Sequence, residues 1–437
     1  MRFCNATLPD GRVRDLRIEG EIIVAVGEDL EQGNGRTIDA TDKRLFPGAI
    51  DVHVHFREPG FSHKETWRTG SESAAAGGVT TVVDQPNTDP PTVDGPGFDE
   101  KARLAEASIV DYGLNGGVTE DWDPDSLFDR SLLALGEVFL ADSTGDMGID
   151  AELFAEAVGH AGREGVPVTV HAEDADLFDE HAHERAEADS GQGHGADAAR
   201  WSDYRTPDAE AAAVEQACEV AAEYDTPLHV AHTSTPEGID AASEAGATCE
   251  VTPHHLLLSR EDLEELGTFG RMNPPLRSAE HRQAVYERVA DGTVDVIATD
   301  HAPHTRQEKE AQLLDAPSGV PGVETMLPLL LEEARQGRLD YERVRDLVAG
   351  NPAAIFDLPN KGRIAEGTDA DLVLFDPENA HEIRGRDLHS KCEWTPFEGR
   401  QGVFPELTLV RGRIVYDGEG LAGEPGFADV DGRNVRE

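Results

Sequence analysis

Eight short apolar runs recur between about residues 49 and 300, with helix-like stretches between most of them. They end near His55, Asp84, Leu114, Leu140, Val170, His232, Thr252 and Asp300. Strands that alternate with helices build a parallel sheet, and eight such units close into a (β/α)8 barrel of the TIM type. Residues 149–164 and 207–224 have the apolar spacing and alanine content of amphipathic helices, with Thr206 and Ser278 placed as N-caps. Residues 180–195, rich in His, Asp and Gly, read as a long loop after the fifth strand, and residues 305–320 as another after the eighth. Loops at that end of a barrel shape the substrate pocket.

Outside this stretch the texture changes. Residues 1–47 read as short strands with Gly and Asp turns, and the same pattern returns over 354–437. The expected organisation is a catalytic barrel over 48–353, flanked by a small β-sandwich that both termini build. A chain of 437 residues is long enough for both parts.

Charge narrows the partners. There are 87 acidic against 38 basic residues, a formal net of −49, and only six lysines. Like charges repel, so nucleic acid and anionic membrane surfaces are excluded as partners. The acidity is spread along the chain, which fits a folded protein built for concentrated salt, where screening removes self-repulsion. Four scattered cysteines with no C-x-x-C pair fit a reducing compartment. Without an apolar leader or a membrane-length run, the expected location is the cytoplasm.

The strand ends carry the chemistry. In Ala49-Ile-Asp-Val-His-Val-His55, the two histidines point to one side of an extended strand. His171, His232 and Asp300 close three further apolar runs, and in a closed barrel all those ends converge on one mouth. Imidazoles and carboxylates are suitable zinc ligands. His53, His55 and Asp300 are expected to hold one ion, and His171 and His232 a second. A zinc-activated hydroxide would attack an amide carbonyl, with Asp300 as general acid and base. His254-His255 is read as pocket wall, and His181, His183 and His194 as exposed.

Several blocks of this sequence resemble the dihydroorotases of the amidohydrolase superfamily. They are Asp51-Val-His-Val-His-Phe-Arg-Glu-Pro-Gly60, Gln85-Pro-Asn-Thr88, Val170-His-Ala-Glu-Asp174, Ala231-His-Thr-Ser234, Met272-Asn-Pro-Pro-Leu-Arg277 and Ala298-Thr-Asp-His-Ala-Pro-His304. The resemblance implies the barrel-plus-sandwich fold, zinc, and reversible cyclisation of N-carbamoyl-L-aspartate to L-dihydroorotate in pyrimidine biosynthesis. It implies that Arg57, Asn87, Asn273 and His304, together with His55, bind the substrate, and that the backbone at Ser318-Gly319 closes over it. Arg57 is the discriminating residue: a guanidinium grips a carboxylate with two hydrogen bonds, and dihydroorotate has a carboxylate where allantoin has none. Allantoinases typically carry Asn there.

One position departs from the pattern. Many relatives bridge two metals with a carboxylated lysine at the end of the fourth strand, but no lysine occurs between Lys101 and Lys309. Glu137 takes that place in the expected site, with Asp142 and Asp146 as the other candidate bridges. Competing readings are an allantoinase or hydantoinase-type enzyme, and a non-catalytic scaffold homologue. The partner expectations are the small-molecule substrate, self-association, and association with an aspartate carbamoyltransferase.

Overall fold

The computed structural model describes residues 1–31, 35–143, 147–189 and 194–437, with backbone only at 189 and 194–197. Eight parallel barrel strands follow in chain order: β1 (Ala49–Val54), β2 (Val79–Asp84), β3 (Asp111–Leu114), β4 (Leu135–Phe139), β5 (Val168–His171), β6 (Leu228–Val230), β7 (Thr248–Val251) and β8 (Val296–Ile297). β1 to β3 form one ladder and β4 to β8 another. Parallel bridges between Gly116 and Leu135, and between Val54 and His301, join the two ladders into a ring. Every residue of β1, β2, β4 and β5 is buried, the signature of strands covered on both faces.

The helices around this ring start and stop for local reasons. The helix Pro207–Tyr224 has Thr206 as N-cap, with its side chain accepting from Ala209 N–H, and proline at its first turn. Ser278 caps Ala279–Asp291 in the same way, and Gly165, in the left-handed region, ends Ala151–Glu164.

Over its described residues the 180–195 segment is helical, not a loop. The helix Glu180–Asp189 fills most of the segment, and a second helix, His194–Tyr204, begins near its end. Ala182 and Ala186, four residues apart, are buried on one face. Alanine and long-chain Glu and Arg supply both helix propensity and a narrow apolar stripe, which outweigh the His and Asp content. Ala186 packs with Trp201 and Leu313, so this helical pair lies against the 305–320 segment. That segment holds one short helix, Arg306–Lys309, behind a Thr305–Glu308 capping box.

Both ends of the chain contribute to one nine-stranded sheet. Strands Leu372–Phe375 and Leu407–Val410 from the C-terminal part pair outward from Arg44–Pro47, which leads into β1. The sheet curls: Ile22 bridges Asp369, and Leu16, Ile18 and Ile23 share one apolar core with Leu372, Leu407 and Leu409. Its two layers make the sandwich. No helix among the described residues is long and apolar enough to cross a membrane.

Candidate metal centre and substrate cavity

His53 lies within β1 and His55 one residue past it, both buried, with ring centroids 5.3 Å apart. Glu137 is the third residue of β4 and His171 the last of β5. His232 and Asp300 follow β6 and β8 at φ 34° and 47°, and Arg57 stands at φ 67°. A non-glycine residue in this left-handed region costs about 1–3 kcal/mol, and its recurrence at three positions around one mouth marks a functional site. Gly136 precedes Glu137 at φ 135°, and a Cβ there would sit 2.2 Å from Thr169 O, so β4 and β5 can approach only with glycine.

These side chains converge. His55 Nε2 lies 2.9 Å from Asp300 Oδ1, and His53 Nε2 lies 3.6 Å from the same oxygen. The Glu137 carboxylate faces two ways. Its Oε2 is 3.3 Å from His53 Nε2, while Oε1 is 2.6 Å from His232 Nε2 and 3.1 Å from His171 Nδ1.

A set of supporting groups fixes which nitrogen each ring turns inward. His53 Nδ1–H donates to Glu250 Oε1 at 2.6 Å, His55 Nδ1–H to Asn87 Oδ1 at 2.6 Å, and His171 Nε2–H to Glu173 Oε2 at 2.9 Å. The opposite nitrogen of each then presents a lone pair to the cluster, as metal-ligating imidazoles do. His53 Nε2 is buried without a hydrogen bond, and His171 Nδ1 faces His232 Nε2 at 3.1 Å. Gln85 Oε1 accepts Glu137 N–H at 2.9 Å and holds the carboxylate in place.

The cluster is short of positive charge. Four buried carboxylates, Glu137, Glu173, Glu250 and Asp300, surround it, and among the described residues only Glu173 has a permanent cation, Arg205 at 2.7 Å. Burial disfavours charge on His53, yet Glu250 and Glu137 push its pKa well above the ordinary value. His171 rises to about 9, where Glu137 and Glu173 likewise outweigh burial. Glu137 is held well below the usual carboxylate range, against burial, by His53 and His232. Two overlapping donor groups, His53–His55–Asp300 and His53–Glu137–His232, are close enough to hold metal ions. Inward lone pairs and excess carboxylate fit divalent metal.

Beside the cluster lies a small, partly open cavity. His55, Glu137, His232 and Asp300 of the cluster line it, together with Arg57, Asn87, Asn273, Ser318 and Gly319. Arg57 is 3% exposed; its Nε donates to Pro303 O at 3.3 Å, and no carboxylate among the described residues lies within ion-pair distance. Burial lowers its pKa to about 10, which leaves it charged at neutral pH. Glu58 instead accepts Trp67 N–H. His304 stands behind Arg57: its Nε2 lies 3.2 Å from Arg57 Nη2 and 2.9 Å from Ser318 O, while its Nδ1 accepts from Lys64 at 3.1 Å. Gly319 sits at φ 125° with its backbone against Ala302, where a Cβ would come within 2.7 Å.

A model of the amidohydrolase family matches residues 44–415. The chain belongs to the amidohydrolase family. It is 64% identical over 435 residues to a dihydroorotase of Halobacterium salinarum, covering 99% of each chain. It is 36% identical over 429 residues to an allantoinase of Rubrobacter xylanophilus, covering 94% of this chain and 93% of that one. Among solved structures, an L-hydantoinase (dihydropyrimidinase) from Arthrobacter aurescens superposes with a TM-score of 0.91 at 28% identity, over 99% of this chain and 98% of that one.

Around this amidohydrolase site the remaining histidines and acids sort themselves. Asp142 is exposed and accepts Gly148 N–H at 2.8 Å, so Glu137 alone of the described candidates reaches the histidines. Asp146 and the side chain of His194 lie outside the described residues. His255 is committed to Thr252 Oγ1 and Pro274 O, and His254 packs on it with ring centroids 4.4 Å apart. His181 is exposed and His183 half-buried.

Sequence reasoning missed Glu173, Glu250, Arg205 and Ser143. Glu173 carried a readable signal, since it stands two residues after His171 and so on the same side of an extended chain. Glu250 carried another, as an acid inside a short apolar strand. Ser143, which lines the cavity, carried none.

Proposed function

We propose that this amidohydrolase is a dihydroorotase, interconverting N-carbamoyl-L-aspartate and L-dihydroorotate in cytoplasmic pyrimidine biosynthesis. The observation that carries this reading is Arg57: a buried guanidinium with no carboxylate partner among the described residues, lining the same cavity as the histidine–carboxylate cluster. Such a cation needs an anion, and the substrate carboxylate supplies one with two parallel hydrogen bonds. The Halobacterium salinarum relative, at 64% identity over nearly the whole chain, supports the same substrate.

The metals are read as two zinc ions. His53, His55 and Asp300 would hold one, His171 and His232 the other, and Glu137 would offer one oxygen to each. Bound zinc supplies a Lewis acid for the amide carbonyl and makes water a nucleophile at neutral pH.

The chain's own groups do the rest. In the hydrolytic direction, Asp300 takes the proton of the attacking water on its carboxylate and returns it to the leaving ring nitrogen; cyclisation reverses this. Asn87 Oδ1 fixes the His55 ring beside Asp300, so imidazole and carboxylate are in place together before substrate arrives. Asn87 spends Oδ1 on His55 and has Nδ2 to offer the substrate. Asn273 and the backbone at Ser318-Gly319 complete the wall, and His304 braces Arg57.

The test is turnover of L-dihydroorotate against allantoin and hydantoin by the zinc-loaded protein in multimolar salt. Dihydroorotate turnover alone is the expected result. Turnover of only the others would overturn the substrate, and a folded protein without stoichiometric zinc or turnover would return it to the scaffold class.

A further inference from the structure

Asn273 contributes a carboxamide to the cavity wall, and a carboxamide has two ends of opposite character. Which end faces the substrate is decided elsewhere. Trp201, on the helix His194–Tyr204, places its indole Nε1 2.8 Å from Asn273 Oδ1 and 3.2 Å from Met272 O. An indole N–H only donates, so the Asn273 atom against it is the oxygen. The amide nitrogen turns the other way, 3.2 Å from Ser143 Oγ, and both Asn273 and Ser143 line the cavity. Asn273 is therefore set to present N–H donors and no acceptor.

The indole is itself held. The Arg271 guanidinium lies 3.9 Å from its ring centroid, and Leu313 and Ala186 pack with it. Arg271 donates to the carbonyls of Leu313 and Ala316, and its own carbonyl accepts from Gly319 N–H at 3.0 Å and from the buried Lys309 ammonium at 2.9 Å. Three segments thus meet at one ring: the helix His194–Tyr204, the stretch 271–273, and the 305–320 loop that carries Ser318 and Gly319.

We infer that Trp201 is a positioning residue for the substrate: it locks the Asn273 amide with its N–H groups toward the cavity, selecting a substrate that presents an oxygen there. This rests on dihydroorotate being the substrate and Asn273 its contact. Without the indole N–H the amide rotates, and in one of its two orientations an oxygen would face the substrate oxygen. Trp201 touches neither the histidine cluster nor Arg57 through any hydrogen bond, so its loss should leave the chemical step alone.

The experiment is a double-mutant cycle on the zinc-loaded full chain, with kcat and KM for L-dihydroorotate and zinc content as readouts. Trp201→Phe keeps the ring and removes the donor; KM should rise about tenfold, with kcat within about twofold and zinc unchanged. In an Asn273→Ala background the same change should add less than about twofold. Additive effects would overturn the inference, as would an unchanged KM. Asn273→Asp, with Trp201 intact, tests it independently of whether Trp201→Phe folds. A carboxylate held by the indole still turns an oxygen to the substrate, so Asp should be worse than Ala by about tenfold. An Asp variant equal to or milder than Ala would overturn the inference. A wild-type protein that ignores dihydroorotate would overturn both readings; an active one with additive mutants would overturn only this one.

Discussion

The groups around the cavity are of two electrostatic kinds. In the first, the floor, four carboxylates gather around four imidazoles, and among the described residues only Glu173 has a permanent cation. In the second, the wall, Arg57 lines the cavity with no carboxylate of the described residues within ion-pair distance, and behind the lining Lys309 and Arg271 are held by backbone carbonyls. Burial holds Arg57 and Arg271 down to about 10, low for a guanidinium. An isolated buried charge costs several kcal/mol. A carboxylate-rich cluster and a buried guanidinium that line one cavity are therefore built to be completed by ligands. The floor takes cations and the wall takes an anion. In the proposed complex a metal-held amide and a guanidinium-held carboxylate of one small molecule span the gap.

The hardest blow to this contrast falls on the floor. Glu137→Ala removes the carboxylate whose Oε2 faces His53 and whose Oε1 faces His171 and His232. It should lower kcat by roughly 10³-fold, since metal-derived stabilisation is worth several kcal/mol, and cost at least one bound metal. Steady-state kinetics with metal analysis after dialysis check it. Near-normal turnover with two metals would remove Glu137 from the centre. On the wall, Arg57→Gln should reduce kcat/KM for dihydroorotate by roughly 10- to 100-fold, the worth of one or two hydrogen bonds to a charged group, with metal content intact. Arg57→Lys should fall between, because an ammonium keeps the charge and loses the fork. A variant that loses metal along with affinity would mean that floor and wall are not separable.

A gentler probe of the floor acts through its supports. Glu250 accepts from His53 Nδ1 and from His232 N–H, so it aims two rings from behind. Glu250→Gln should weaken metal binding roughly 10- to 100-fold while leaving Arg57 and the KM of metal-saturated enzyme near the wild-type value. Competition with a chelator gives the affinity. Unchanged affinity would show that ring orientation is set by packing alone.

Much of the floor was legible in the sequence, because its residues stand at strand ends and barrel topology brings strand ends together. His53, His55, His171, His232 and Asp300 need no more than periodicity to be grouped. The eight barrel strands fell where apolar runs ended, and Thr206 and Ser278 cap helices as their chemistry dictates. The supports were harder to read. Glu250 is 197 residues from His53, and only the closed barrel makes them neighbours. The 180–195 segment misled because polar composition was weighed above the four-residue spacing of Ala182 and Ala186, and Ala186 is buried against Trp201 and Leu313 from distant segments. Trp201 itself gives no local sign of its role. Its contact with Asn273 spans 72 residues and depends on that helix folding over the mouth.

The smallest expected effect separates floor from wall by pH. Glu173 lies between Arg205 and His171, fully buried; burial would raise its pKa, but Arg205 and His171 hold it well below the usual range. A carboxylate whose folded-state pKa is depressed contributes stability that is complete above its unfolded value, near 4.3. That contribution is lost as pH falls from there toward the folded value, because the unfolded chain takes up the proton first. For one such group the loss is roughly 2 kcal/mol, spread over the acid range. At fixed high salt, the wild type should lose thermal midpoint between about pH 5 and pH 2 more steeply than Glu173→Gln. The variant should start lower at pH 7, because Arg205 is left buried beside a neutral amide. Glu137, Glu250 and Asp300 are depressed in the same direction, so part of the slope must survive in the variant. Arg57→Gln should leave the Glu173 part of the slope in place, since Arg205 and His171 hold that carboxylate ionised. Parallel curves for wild type and Glu173→Gln would mean that Arg205 does not hold Glu173 ionised, and that the floor lacks even its one permanent cation.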